Sequence, residues 1–350
     1  MDWKTLLGFK LGNLLGLDVG SSSVKIVQLN RNEQGYEATG AARVEIETGS
    51  GDGAQANDII TVRAINECYR QARVSSKHAV CGMCGPDVAV RYFQFPLLPV
   101  EELPSAVALE AEQVCPFSMD DSVMDYQIIP DGNESIRGVL VAATNKVVRR
   151  KQKIVKEALL NPVLMDVDGL ALLNCLTQCE NCASDQAMAV LNVGSTYTTL
   201  VIAGDNSVPF VRDTTHAGAS ITKDIMQKTG LSRQRVSAML FDDEGGSQDE
   251  PLLASALAAS CEVLVEDVTG TLRFYAAQKK TLCVEKIFVC GGFARARGFV
   301  DILNSRLPAQ TVLWNPFEKI PCRAGGSCEA MLRKEGPSLA VAAGLAMRSL

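Results

Sequence analysis

Leu17-Asp18-Val19-Gly20-Ser21-Ser22-Ser23-Val24-Lys25-Ile26-Val27 recurs as Leu191-Asn192-Val193-Gly194-Ser195-Thr196-Tyr197-Thr198-Thr199-Leu200-Val201. Each copy runs an apolar strand into a tight Gly-Ser turn and straight out into another strand. The backbone N–H groups and hydroxyls exposed at such a turn form a small anion trap. Two copies far apart in one chain predict two similar half-domains facing each other across a cleft. The two traps can then grip the phosphates of one nucleotide. The one strong mismatch is Asp18 against Asn192.

Asp18 stands at a strand end two residues before Gly20, where its carboxylate points at the phosphate site and can hold Mg²⁺ or its waters. Gly20 allows close backbone approach. Ser21, Ser22 and Ser23 supply hydroxyl and N–H donors, and Lys25 on the return strand supplies a point charge. Gly194, Ser195 and Thr196 repeat the turn. Either turn alone is also explained by an ordinary hairpin with polar turn residues. The pair gains weight from Cys290-Gly291-Gly292-Phe293, where a strand enters a turn without side chains and adenine or ribose can lie against the backbone. The plain alternative there is a strand-to-helix turn that needs glycine for its own dihedrals.

At 350 residues the chain predicts two domains or a split two-lobed body. Hydrophobic residues make up 47% and aromatics only 5%, which favours a Val/Leu/Ala-built α/β interior. A formal charge of −6 argues against nucleic acid as a partner, Arg149-Arg150-Lys151 being the most basic cluster. No apolar run approaches the roughly 18–20 residues that span a bilayer. Residues 1–15 carry Trp3, Leu6, Leu7 and Phe9 among lysines; they read as a lead-in packed on the first lobe, or as a short membrane-surface helix. The 12 cysteines are scattered through predicted elements, as in a reduced cytoplasmic protein. Two clusters, His78/Cys81/Cys84 and Cys175/Cys179/Cys182, each offer three ligands at most, fewer than a structural zinc site takes.

The expected order begins with a hairpin from Leu15 to Leu29 and Tyr36 to Glu47. A helix through Ile59, Ile65 and Tyr69 and a strand from Lys77 to Cys84 follow. Between residues 86 and 162 a β-α-β-β-α pattern marks an inserted subdomain, ending in a basic helix from Lys146 to Leu160. After the second hairpin come helices Ile221–Thr229 and Arg233–Phe241 and an acidic loop Asp242–Glu250. One long helix from Pro251 to Lys279, a strand Lys286–Cys290, a helix Arg297–Leu307 and a small-residue helix from Ser338 complete the reading. Residues 16–85, 163–188 and 321–350 make one lobe and 189–320 the other, with 217–260 as its outer subdomain.

These motifs resemble the actin/Hsp70/sugar-kinase superfamily, and within it the PilM branch close to FtsA. Gly16-Leu17-Asp18-Val19-Gly20-Ser21, Asn192-Val193-Gly194-Ser195 and Gly291-Gly292-Phe293 carry the superfamily likeness. Glu112-Gln113-Val114-Cys115-Pro116-Phe117, Asp125-Tyr126-Gln127, Ala217-Gly218-Ala219-Ser220 and Pro337-Ser338-Leu339-Ala340 carry the branch likeness. The resemblance implies an α/β, actin-like two-lobed duplicated fold with an FtsA-type inserted subdomain and a central nucleotide cleft. It adds Gly218 to the binding residues and implies ATP and Mg²⁺ as ligands. It also implies a cytoplasmic scaffold of the type IV pilus inner-membrane platform, peripheral to the membrane through its partners. Those would be the N-terminal tail of a PilN-like protein, bound beside the inserted subdomain, other platform proteins, and copies of itself.

Asn192 departs from the family pattern, which usually has Asp there. An amide cannot order Mg²⁺ waters by charge, so hydrolysis is expected to be slow or absent. Three rivals share the superfamily. An FtsA-like filament protein usually carries an amphipathic helix after the final element. A type II secretion platform protein continues into a transmembrane helix. A small-molecule kinase needs a general base, for which Asp166 and Asp168 are the candidates.

Overall fold

The computed structural model describes residues 14–47, 54–129, 135–181, 186–204, 209–242, 249–278 and 284–348. The first hairpin forms strands β1 (Leu15–Val19), β2 (Ser23–Asn32) and β3 (Gly35–Glu45). Helix α1 (Ala54–Ala72) leads to β4 (His78–Met83), and β8 (Asn161–Val167) completes a five-stranded sheet in the order β3-β2-β1-β4-β8. β1, β2 and β3 pair antiparallel, and β4 and β8 add in parallel.

The second half repeats this plan. β9 (Ala187–Val193), β10 (Thr198–Gly204) and β11 (Phe210–Thr214) form the meander, and β12 (Val284–Cys290) and β13 (Gln310–Leu313) add in parallel. Its order, β11-β10-β9-β12-β13, matches the first sheet strand for strand. The duplication seen in eleven residues therefore extends over two whole sheets.

The halves differ in what they insert. Between β4 and β8 lie β5 (Val88–Phe95), α2 (Leu103–Val114), β6 (Ser122–Ile129), β7 (Ile136–Thr144) and α3 (Asn145–Glu157). The three strands form a separate antiparallel sheet, order β5-β7-β6. α2 covers one face of it through Leu103, Val107 and Ala111 against Phe93 and Leu140. α3, capped by the Thr144 hydroxyl accepting from Val147 N, turns Ile154 and Val155 onto the first five-stranded sheet beside α1. Helix α4 (Asp168–Cys179) follows β8. Between β11 and β12 the insertion is helical: α5 (Gly218–Thr229), α6 (Arg233–Phe241), α7 (Glu250–Ser260) and α8 (Glu262–Gln278). After β12 come α9 (Phe299–Arg306), α10 (Gly326–Glu335) and α11 (Ala340–Ala346).

Both large sheets are buried on both faces, which is why their strands read as continuous apolar runs. α4 and α11 fill the layer between them, joining Val27, Leu29 and Val80 of one sheet to Val190, Val201 and Phe288 of the other. The small residues of α11 let it approach so closely that a Cβ on Gly344 would lie 1.8 Å from Ala171 O. α1 and α3 cover the outer face of the first sheet, and α5 to α9 that of the second.

Some expectations shift. The long helix read from Pro251 is two helices meeting at Cys261, where His216 Nε2 lies 3.2 Å from the Ser260 carbonyl. The basic helix stops at Glu157, and Leu159 adopts a left-handed φ of 59°. Strands β11 and β13 and helix α10 carried no clear periodicity. Residues 1–13 of the lead-in, Cys182, and residues 243–248 of the acidic loop lie outside the described residues.

Candidate functional site

The two turns close in the same way: Gly20 N donates to Ser23 O at 3.1 Å and Gly194 N to Tyr197 O at 3.0 Å. Their tips meet across the cleft, where the Thr196 hydroxyl donates to Ser21 Oγ at 2.7 Å. Around them opens a cavity of about 520 Å³, within the usual 300–1,000 Å³ of a small-ligand site. Of the residues singled out in the sequence, Asp18, Gly20, Ser21, Ser22, Lys25, Asn192, Gly194, Ser195, Thr196, Gly291 and Gly292 line it.

Three do not. Ser23 is buried within β2. Phe293 packs in the core of the second lobe against Phe299 and Phe241. Gly218 begins α5, and its N–H donates to Gly194 O while Ala219 N donates to Ser195 O. The helix N-terminus thus buttresses the second turn, and a Cβ at Gly218 would meet Phe293 at 2.7 Å.

The mismatch between the copies is a mismatch of cross-strand pairs. Asp18 sits opposite Lys25, and the two form an ion pair at 2.9 Å. Asn192 sits opposite Thr199, a neutral pair. Asn192 Oδ1 accepts from the Cys290 thiol at 3.8 Å, and the Thr199 hydroxyl donates to Asp213 Oδ1 at 2.6 Å. One wall of the cleft therefore carries ionised groups and the other hydrogen-bonding neutral ones. Gly291, with φ of 96°, donates to Pro337 O at 2.8 Å, and Gly292 has open space where a side chain would stand.

The sequence names Asp168 as a candidate only for the general base of a small-molecule kinase. The structure puts it at the start of α4, lining the same cavity, fully buried, with Oδ1 lacking a partner among the described residues. Burial, with the nearby Asp18 charge, pushes its carboxyl up to about 7. Burial, with the nearby Asp168 and Asp213 charges, raises the Cys84 thiol well above its ordinary value. Gly82 makes the room: a Cβ there would lie 2.1 Å from Asp168 Oδ1. Lys151 of α3 also lines the cavity and donates to Val19 O at 2.8 Å. Spatial neighbourhood, and no local motif, brings these residues together on one cavity. Asp166, by contrast, is tied in β8 by Arg348 at 2.6 and 2.9 Å.

A second cavity of about 700 Å³ lies between β5 of the inserted sheet and β11 of the second lobe. Val88, Val90, Phe210, Val211 and Phe274 give it an apolar lining, with Arg91 and Arg212 on its walls. Pro86 and Tyr197 line both cavities. Between them Gly85 N donates to Asp213 Oδ2 at 2.7 Å, on the carboxylate that also holds Thr199. No described helix is long and apolar enough to cross a membrane.

A family model described as type IV pilus assembly protein PilM matches residues 16–350. The solved structure of a PilM-PilN type IV pilus biogenesis complex is 25% identical with a TM-score of 0.80, covering 96% of this chain and 98% of that chain. The ethanolamine utilization protein EutJ from Carboxydothermus hydrogenoformans is 12% identical with a TM-score of 0.55, covering 96% of this chain and 89% of its own. A diol dehydratase-reactivating factor in nucleotide-free form is 11% identical with a TM-score of 0.52, covering 95% and 98%. The last two show the fold alone.

Proposed function

The chain belongs to the type IV pilus assembly protein PilM family, and from that premise we propose that it is an ATP-binding scaffold whose nucleotide cleft is coupled to a peptide groove. The observation that carries this reading is the convergence of both duplicated turns and Gly291-Gly292 on one cavity. Phosphates would lie against the turn N–H groups and hydroxyls and against Lys25 and Lys151, and the adenosine against Gly292. The donors also fit a hard divalent cation: Asp18 offers carboxylate oxygens and Asp168 an unpartnered one, both inside the cavity. Mg²⁺, when bound, would offset the phosphate charge.

Hydrolysis is slow or absent in this reading. Asn192 brings no charge to the second turn, and Lys25 already compensates Asp18. A second reading, a slow ATPase, is favoured by Asp168: a buried carboxyl titrating near neutrality inside the cavity has the properties of a proton acceptor.

The groove between β5 and β11 would take the N-terminal tail of a PilN-like protein. The extended strands on its two sides and its apolar lining suit a short peptide. Such a tail would hold the protein at the inner face of the cytoplasmic membrane. Because Pro86 and Tyr197 border both cavities, closure of the lobes on ATP would reshape the groove. Calorimetric titration of ATP, with and without a synthetic PilN-like tail peptide, tests this. The account expects both ligands to bind and each to change the other's affinity by the same factor. If neither binds, the reading fails.

A further inference from the structure

The outward face of α3 carries Lys146, Arg149, Lys153 and Lys156, spaced i, i+3, i+7 and i+10, with Arg150 beside them. All five are exposed, on a chain whose net charge is −6. Among the described residues two of them are paired: Arg150 with Asp58 at 2.8 Å and Lys153 with Glu157 at 3.8 Å. The opposite face, through Ile154 and Val155, is locked into the first lobe, so the cationic face is rigidly presented. From Lys146 to Lys156 the row spans about 15 Å at ~1.5 Å per residue.

The helix then ends in an unusual way. Leu160 N donates to Val155 O at 3.2 Å and Leu159 N to Lys156 O at 2.9 Å, a Schellman-type close. Its left-handed position, where glycine is the usual residue, is held by Leu159 with φ of 59°. That leucine is 74% exposed. A strained backbone that keeps a large apolar side chain in water beside Lys156 has no packing reason among the described residues.

We propose that the cationic face of α3, with Leu159 at its tip, is a docking surface for anionic lipid headgroups. A convex row of mobile ammonium and guanidinium groups suits a flat, diffuse layer of negative charge. An exposed leucine beside it suits shallow insertion at the headgroup boundary. Lys146, Arg149, Lys153, Lys156 and Leu159 line neither the nucleotide cavity, which Arg150 borders, nor the peptide groove, and the contact would orient the first lobe towards the membrane.

The test is co-sedimentation of the full chain with vesicles of phosphatidylcholine alone and of phosphatidylcholine mixed with phosphatidylglycerol, without ATP or peptide. Binding is expected only to the mixed vesicles and is expected to fall with added salt. Lys153→Gln with Lys156→Gln should weaken it about 25-fold, at about fivefold per cation. Leu159→Gly should weaken it severalfold while raising Tm, since glycine relieves the left-handed strain; a leucine with a structural role would lower Tm instead. Equal binding to both vesicle types, or unchanged binding by the double variant, overturns the proposal. So does an absence of vesicle binding accompanied by capture of an acidic peptide or of DNA on the same face.

Discussion

The Thr196 hydroxyl bonds to Ser21 Oγ at 2.7 Å, joining the tips of two turns that are copies of each other. Nucleotide phosphates held between the turns would use the same hydroxyls. Thr196→Val keeps the branched shape but removes the donor. ATP affinity should fall about tenfold, the worth of roughly one hydrogen bond to a charged group. The bond is exposed, so Tm should move little. Unchanged affinity in calorimetry would remove this hydroxyl from the site.

Asn192 occupies the place where the first copy has Asp18, opposite Thr199 instead of Lys25. Asn192→Asp is nearly isosteric and returns a carboxylate to the second turn. Steady-state ATP turnover should rise about tenfold or more. A variant no faster than the wild type would mean that the neutral amide is not what limits hydrolysis.

Asp168 titrates near 7 in the folded chain, facing Asp18, Asp213, Lys151 and Cys84, and in the usual carboxylate range when unfolded. Between those values the folded state binds the extra proton, so this group's contribution to stability falls as pH rises from about 4 to about 7. Asp168→Asn removes the titration. In metal-free thermal melts, the Tm difference between variant and wild type should grow in the variant's favour across that window. A pH-independent difference would contradict the buried, uncompensated carboxyl.

Asp213 holds Gly85 N with one oxygen and the Thr199 hydroxyl with the other, at the wall between the two cavities. Asp213→Ala leaves both donors unpaired at a cost of about 1–3 kcal/mol. The ATP-dependent change in tail-peptide affinity should shrink towards none, even where the peptide still binds. A full-sized ATP effect in the variant would move the coupling elsewhere.

The duplicated fold was legible because both hairpins run an apolar strand into the same Gly-Ser turn within eleven residues. The matching sheet orders follow from the same frame. β11 and β13 were not legible: each is short and half-exposed, so no alternation of apolar residues marks it. The cavity-lining residues carried on the turns were readable, since a turn's polar groups are sequence neighbours. Asp168 and Lys151 reach the cleft from other elements and Asp213 stands behind its wall through Thr199, at distances that no local spacing encodes. Gly218 and Phe293 share the motifs but not the cavity wall, Gly218 bonding to the second turn and Phe293 packing in the core, a difference that motif membership does not encode.

The central claim is that one nucleotide binds between the duplicated turns, and Gly20→Asp tests it most directly. A Cβ at Gly20 would stand 3.2 Å from Lys25 Nζ and from Ser23 O, putting a new carboxylate beside Asp18 where phosphate would lie. Calorimetric titration of ATP into both proteins should show one-site binding by the wild type and none by the variant, with matching far-UV circular dichroism. Equal ATP affinity in the two folded proteins would contradict the account.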